Sequence, residues 1–142
     1  MTVLDAYAVV AYLRAEACAD DVATLLRGTS TLSAANAAEV VDQLTRVFGS
    51  DPDDVHADLA LLANAGMDLV PVTPDLGLLA GRLRAKHYHR DRSAVSLADC
   101  IAAATALSLN QALATSDPAI AGVVRAEGGA IHALPDSQGI AP

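Results

Sequence analysis

Aromatic residues are nearly missing from this chain: three Tyr, one Phe and no Trp in 142 residues. A core therefore has to be built from Ala, Val, Leu and Ile. Cysteine is equally scarce. Cys18 and Cys100 stand far apart in sequence and match no metal-binding or redox spacing, so both read as free thiols of a reducing compartment. No apolar run approaches the roughly 18 residues of a membrane span. The opening MTVLDAY has neither a basic region nor a signal-type apolar run. The expectation is a cytoplasmic protein with no membrane partner. Positive charge is the fourth shortage, with 9 Lys and Arg against 17 Asp and Glu and a net charge of −8. Taken alone, that argues against sequence-independent nucleic-acid binding, which runs on Lys and Arg.

The few basic residues are not scattered. Arg82, Arg84, Lys86, Arg90 and Arg92 fall in one short stretch, joined by His87 and His89. This stretch is a candidate contact for RNA phosphates. It reads equally as a solvated helix end, because cations favour helix C-termini, and a His in such a loop is commonly just solvated.

What the chain does have is apolar content, 53% of its residues, and a length that suits one domain. Residues 1–134 read as that domain and 135–142 as a loose C-terminal tail. Short β-prone runs alternate with helical stretches. Strands are predicted at Thr2–Leu4, Thr29–Leu32, Asp68–Val72, Ala112–Ala114 and Ala130–Leu134. Helices are predicted from Ala6 to Leu13, Ala17 to Leu26, Ser33 to Phe48, Pro52 to Ala65, Pro74 to His87, Leu97 to Leu109 and Pro118 to Arg125. The alternation argues for an α/β fold with a mainly parallel sheet covered on both faces.

Four acids stand at informative places. Asp5 follows the first predicted strand and Asp117 the fourth. Glu39 lies on the helix after the second strand, and Asp99 lies in the first turn of the helix that leads to the fourth. Each has an ordinary explanation: Asp5 and Asp117 as helix N-caps, Asp99 as partner of Ser96 in a capping box, Glu39 as part of a solvated face. Together they suggest more. In open α/β sheets, ligands bind at the carboxyl ends of the strands. Carboxylates converging there repel one another unless a cation compensates, and oxygen-only ligands suit Mg²⁺ or Mn²⁺.

The segments LDAYAVVAYL, SAANAAEV with Glu39, VPVTPDLGLLAGRLR, SLADCIAAATAL with Asp99 and LATSD with Asp117 occur in this order over nearly the whole chain. In this the chain resembles PIN-domain ribonucleases, and among them the VapC-type toxins of type II toxin–antitoxin pairs. The resemblance implies a PIN-like three-layer α/β/α sandwich and a Mg²⁺-dependent endoribonuclease whose acidic site is Asp5, Glu39, Asp99 and Asp117. It also implies supporting polar roles for Asn36, Ser96 and Thr115, a homodimer, and a small cognate antitoxin that blocks the active groove. Apolar residues of the first helices, Val9, Leu13 and Leu26, are the expected anchors for that partner. Ile120 departs from the pattern, standing where many relatives carry an aromatic.

The implied reaction is metal-assisted hydrolysis of an RNA phosphodiester; no Ser–His or Cys–His pair is evident. The alternative is a catalytically inactive PIN fold that binds RNA or protein, against which the complete set of acids argues. A haloacid-dehalogenase-like phosphatase needs a second Asp where Tyr7 stands. A receiver domain needs a Lys after a late strand, whereas the only Lys here is Lys86.

Overall fold

A computed structural model describes residues 1–142. Five strands and seven α-helices follow in the order β1 (Thr2–Leu4), α1 (Ala6–Leu13), α2 (Ala19–Leu26), β2 (Ser30–Ser33), α3 (Ala34–Asp42), α4 (Pro52–Asn64), β3 (Met67–Val70), α5 (Pro74–His87), α6 (Leu97–Leu109), β4 (Ala112–Thr115), α7 (Pro118–Ala126) and β5 (Ile131–Ala133). All strand pairs are parallel, and the sheet order is β3-β2-β1-β4-β5.

Because successive side chains of a strand point to opposite faces, each central strand feeds two cores. Leu4 and Ala114 enter a core with Val9, Val22, Leu32, Val40 and Val55. Val3 and Leu113 enter the other, with Leu83, Cys100, Ala103, Ile120 and Val124. Helices α1–α4 cover the first face and α5–α7 the second, which makes the three layers. The Ala-rich run of α6 buries Ala102, Ala103, Ala104 and Ala106, so this helix lies close to the sheet. Ile120, at 1% exposure, fills its place in the second core as an aliphatic residue.

Six helices start on a residue whose side chain accepts a backbone N–H: Asp5, Ser33, Asp51, Thr73, Ser96 and Asp117. All of these but Asp51 stand where a strand hands over to a helix or lead directly to the acids of interest, so the caps and the acidic residues occupy the same edge of the sheet.

The structure departs from the sequence-based expectation in four places. Helix α3 does not run on to Phe48. It ends at Asp42 and gives way to a π-helical turn, Gln43–Val47. The widened turn keeps Leu44 in the core while the Asp42–Arg46 ion pair stays outside. Helix α2 starts at Ala19, after Ala15 takes a left-handed conformation, and carries Asp20 and Asp21 in its first turn where no side-chain cap is made. Strand β3 stops at Val70 because Pro71 has no N–H for the ladder. The tail is a turn in which the Asp136 carboxylate accepts from the N–H groups of Gln138 and Ile140.

Candidate active site

Strand β1 sits between β2 and β4. The chain winds outward through β2 and β3 on one side and resumes at β4 on the other. The β1/β4 boundary is therefore a topological switch point, where the loops leaving the two strands diverge and open a crevice at their carboxyl ends. Asp5 directly follows β1, and Asp117 follows β4 by two residues. Helix α3 leaves the end of β2 with Glu39 on its second turn. Helix α6 runs antiparallel to the strand it precedes, which brings its N-terminus and Asp99 to the same edge.

The result is a cleft of about 240 Å³ lined by Asp5, Glu39, Asp99 and Asp117 together with Ala6, Tyr7, Gln43 and Ser116. The four acids named from sequence do share one cavity, at graded depth. Asp5 lies at the bottom with 7% exposure, Glu39 and Asp99 are half-buried, and Asp117 is exposed at the rim.

Each acid is also held by its local structure. Asp5 Oδ1 accepts from the N–H of Ala8 at 2.8 Å. Asp99 Oδ2 accepts from the N–H of Ser96 at 2.7 Å, and Ser96 Oγ accepts from the N–H of Asp99 at 3.0 Å. Asp117 Oδ1 accepts from the N–H of Ala119 at 2.7 Å. For Asp5, Asp99 and Asp117 the cap explanation and the cleft explanation are thus both realised, by the same residues.

Asn36 is the main internal brace. It is 1% exposed. Its Oδ1 accepts from the Ser33 hydroxyl at 2.6 Å, and its Nδ2 donates to Glu39 Oε2 at 3.4 Å and to the carbonyl of Ala98 at 3.1 Å. Thr115, fully buried at the end of β4, accepts from the N–H of Asp117 at 3.0 Å and favours the ionised form of Asp5 with its hydroxyl. Ser96 acts through the capping box.

The electrostatics follow from depth and crowding. Burial pushes the Asp5 carboxyl up to about 7, with smaller pushes from the like charges of Asp99 and Glu39, against the Thr115 and Ala8 hydrogen bonds. Burial also raises Glu39, followed by repulsion from Asp99; the Asn36 hydrogen bond opposes this. Asp5, Glu39 and Asp99 therefore act on one another through space.

An all-oxygen donor set under mutual repulsion is the chemistry that hard divalent cations satisfy. The side chains do not yet form a closed ligand cluster: no three of the chain's His, Cys, Asp and Glu side chains stand together tightly enough to hold an ion. The reason is visible in the caps, which draw carboxylate oxygens of Asp5, Asp99 and Asp117 toward backbone N–H groups. The donors fit a cation by type and by shared cleft.

The five basic residues are not equivalent. Arg84 is half-buried; its Nε donates to the carbonyl of Val95 at 3.0 Å and its guanidinium lies over the Tyr88 ring at 4.5 Å. Lys86 Nζ and His87 Nε2 both engage Glu127 Oε1, at 2.7 and 2.5 Å. Arg82, Arg90 and Arg92 are exposed, and none of them makes an ion pair with an acid of the chain. His89 closes the turn before α6, with its Nδ1 accepting from the N–H of Asp91 and its backbone paired to Ser93.

Sequence reasoning did not place Tyr7, Gln43 or Ser116 in the site. Two of these had a signal: Gln43 follows Glu39 by four residues and so shares its helical face, and Ser116 adjoins Asp117. Tyr7 carried none beyond its nearness to Asp5. Val9 is not available to a partner, being fully buried in the first core, and Leu13 and Leu26 pack partly against that core. No helix is long and apolar enough to cross a membrane.

Comparison with known proteins places this geometry in context. Residues 2–125 match the PIN domain family. Curated proteins yield no match. Among solved structures, VapC20 of Mycobacterium tuberculosis, a sarcin–ricin-loop-cleaving toxin, superposes with a TM-score of 0.67 at 17% identity, covering 86% of this chain and 94% of its own. VapBC2 of Rickettsia felis, bound to a DNA fragment from its promoter, gives 0.66 at 14% identity over 92% and 96%. FitAcB of Neisseria gonorrhoeae gives 0.64 at 23% identity over 92% and 96%.

Proposed function

The chain belongs to the PIN-domain family, and from that premise we propose that it is a divalent-metal-dependent endoribonuclease acting as the toxin of a toxin–antitoxin pair. The observation that carries this reading is that four acids from four separate chain segments line one cleft at the β1/β4 switch point. Asp5, Glu39, Asp99 and Asp117 are the residues that would hold Mg²⁺, with Mn²⁺ as a substitute. When bound, such a cation acidifies a water and neutralises charge on the phosphate oxygens.

The chain's own residues account for the rest. Asn36 keeps Glu39 turned into the cleft and ties α3 to the first turn of α6. The Thr115 hydroxyl favours the ionised form of Asp5 and so offsets part of the push of burial. The capping box fixes where Asp99 enters. The exposed Arg82, Arg90 and Arg92 are the free cations for the RNA backbone, which an acidic chain would otherwise repel. Arg84 serves first to hold the segment before α6, through Val95, and Lys86 ties α5 to Glu127 at the end of α7.

The partner part of the reading rests on the same charge logic. A crowded carboxylate cleft is a strong receptor for an Arg side chain, which makes bidentate contacts with carboxylates. An antitoxin segment bearing such an Arg would displace the cation and cover the scissile position together. With Val9 buried, the apolar anchors fall to exposed residues: Val47 and Phe48 at the end of the π turn, and Leu61 on α4. A homodimer is part of the same reading. The direct test is incubation of the purified chain with total cellular RNA in Mg²⁺ or in EDTA, followed by mapping of the cut ends. Discrete Mg²⁺-dependent ends support the ribonuclease reading, and RNA that is bound but intact supports the inactive alternative.

A further inference from the structure

The cleft contains one group that neither the acids nor their braces use. Gln43 lines it from the first residue of the π-helical turn. Its carboxamide takes no part in the hydrogen bonds that hold Asp5, Glu39, Asp99 and Asp117. Of the other neutral lining residues, Ala6 has no polar side-chain atom. Tyr7 has its hydroxyl out of reach of solvent, turned toward Cys18 and Ser116. Ser116 offers only a single hydroxyl beside Asp117. Gln43 is therefore the one uncharged lining side chain that sets a separate free donor and free acceptor side by side. It sits one turn past Glu39, about 6 Å further along the helix.

We propose that Gln43 reads the base next to the scissile phosphate and so sets the nucleotide preference of cleavage. The inference rests on the ribonuclease reading above. Its physical content is a division of labour. The acids can tolerate a phosphate only through a cation, whereas a base is neutral and approaches an amide without that requirement. A carboxamide matches a base edge that presents a donor beside an acceptor, and the pairing geometry of Gln favours adenine. In RNA, such edges are open where bases are unstacked and single-stranded. The π turn is the second indication. Such turns interrupt α-helices frequently at functional sites, and this one begins at Gln43, with α3 before it and the buried Leu44 after it fixing where the amide stands.

The test is end-mapping on an RNA pool randomised around the cut, comparing the wild-type chain with Gln43→Met and Gln43→Glu in Mg²⁺. Met keeps the length and loses both polar groups. Wild-type cleavage should favour one base at a position flanking the cut, and Met should flatten that preference by roughly 5- to 100-fold, the discrimination of one bidentate pair. Glu keeps the size and polarity but replaces the donor with an acceptor, so it should move the preference toward cytosine, whose amino group donates. It carries the test if the Met chain does not fold. An unchanged preference in whichever variant folds overturns the assignment of Gln43. Absence of any cleavage by the wild-type chain overturns the ribonuclease reading itself, a distinct result.

Discussion

Asn36 and Ala98, 62 positions apart, are joined by a 3.1 Å hydrogen bond from the Asn36 side chain to the Ala98 carbonyl. This bond links the helix of Glu39 to the helix of Asp99, and Asp99 is the very next residue. The same amide reaches Glu39, so one fully buried side chain sets the relative placement of two of the four acids.

Replacing Asn36 should therefore damage both stability and site. Asn36→Ala leaves the Ser33 hydroxyl proton without its acceptor and the Ala98 carbonyl and Glu39 without their donor, at a cost of about 1–3 kcal/mol for groups left unpaired. Cleavage should fall by roughly 10- to 100-fold, as for other residues that orient metal ligands. Asn36→Asp should be worse, because it buries a third charge beside Glu39 and Asp99. Urea unfolding and a cleavage assay on the same preparations separate the two effects.

Stability should depend on pH in the sense opposite to an ordinary paired carboxylate. Asp5 is raised from 3.8 to about 7 in the folded chain, so the native state binds a proton that the unfolded state has released between those values. Stability should fall as pH rises from about 4 to 7, and stay low above it. Asp5→Asn should reduce this slope, leaving the smaller part due to Glu39, and melt higher than wild type at pH 8 in EDTA, while added Mg²⁺ should stabilise wild type more at pH 8 than at pH 5. Thermal melts over that pH range check both. A slope of the other sign would contradict the burial of Asp5.

Arg82, Arg90 and Arg92 should separate from Arg84 and Lys86 in RNA binding. Neutralising Arg90 and Arg92 together should make the dependence of log K on log salt shallower by about 1.4, at roughly 0.7 per phosphate contact on a single strand. Lys86→Ala should leave that slope nearly unchanged, since Glu127 already neutralises the ammonium. Arg84→Ala should instead lower stability by about 1–2 kcal/mol through the lost Val95 bond and Tyr88 stacking. Filter binding at several salt concentrations distinguishes these outcomes.

A partner encoded beside this chain should copurify on co-expression, and expression without it should arrest growth. Phe48→Ser with Leu61→Ser should break that copurification while costing about 1 kcal/mol of stability, since both side chains are exposed and only Phe48 has a partner, the Arg14 guanidinium 3.5 Å over its ring. Val9→Ala should lower stability by about 1–3 kcal/mol, the effect of a core cavity, and spare the interaction.

These contrasts show what was legible in the chain. Asp5 and Asp117 could be named because each stands just after a strand, and strand ends follow from local pattern; Glu39 and Asp99 lie on helices and were named through the motifs that resemble PIN-domain ribonucleases. The sheet was legible for the same reason: short apolar runs alternating with capped helices leave few parallel arrangements. The π turn at Gln43 was not, since nothing in QLTRV distinguishes it from one more α turn. Nor were the partners of Arg84 and Lys86. Glu127 lies 41 positions beyond Lys86, and only the packing of α5 near the end of α7 makes a solvated-looking Lys into half of an ion pair. Val9 looked available because an eight-residue helix has few faces to assign, and here α1 buries Ala6 and Ala8–Ala11 and leaves only Tyr7, Tyr12 and Leu13 partly exposed.

The most direct measurement of the central claim is the cleavage rate of a defined RNA in Mg²⁺ by wild type, Asp5→Asn and Asp99→Asn, with EDTA as the control. Asn keeps the carboxylate's shape but not its charge. If the four acids work as one cation site, each single variant should lose activity by more than about 100-fold while remaining folded, and EDTA should abolish wild-type cleavage. Wild-type cleavage that persists in EDTA, or full activity in both folded variants, would contradict it.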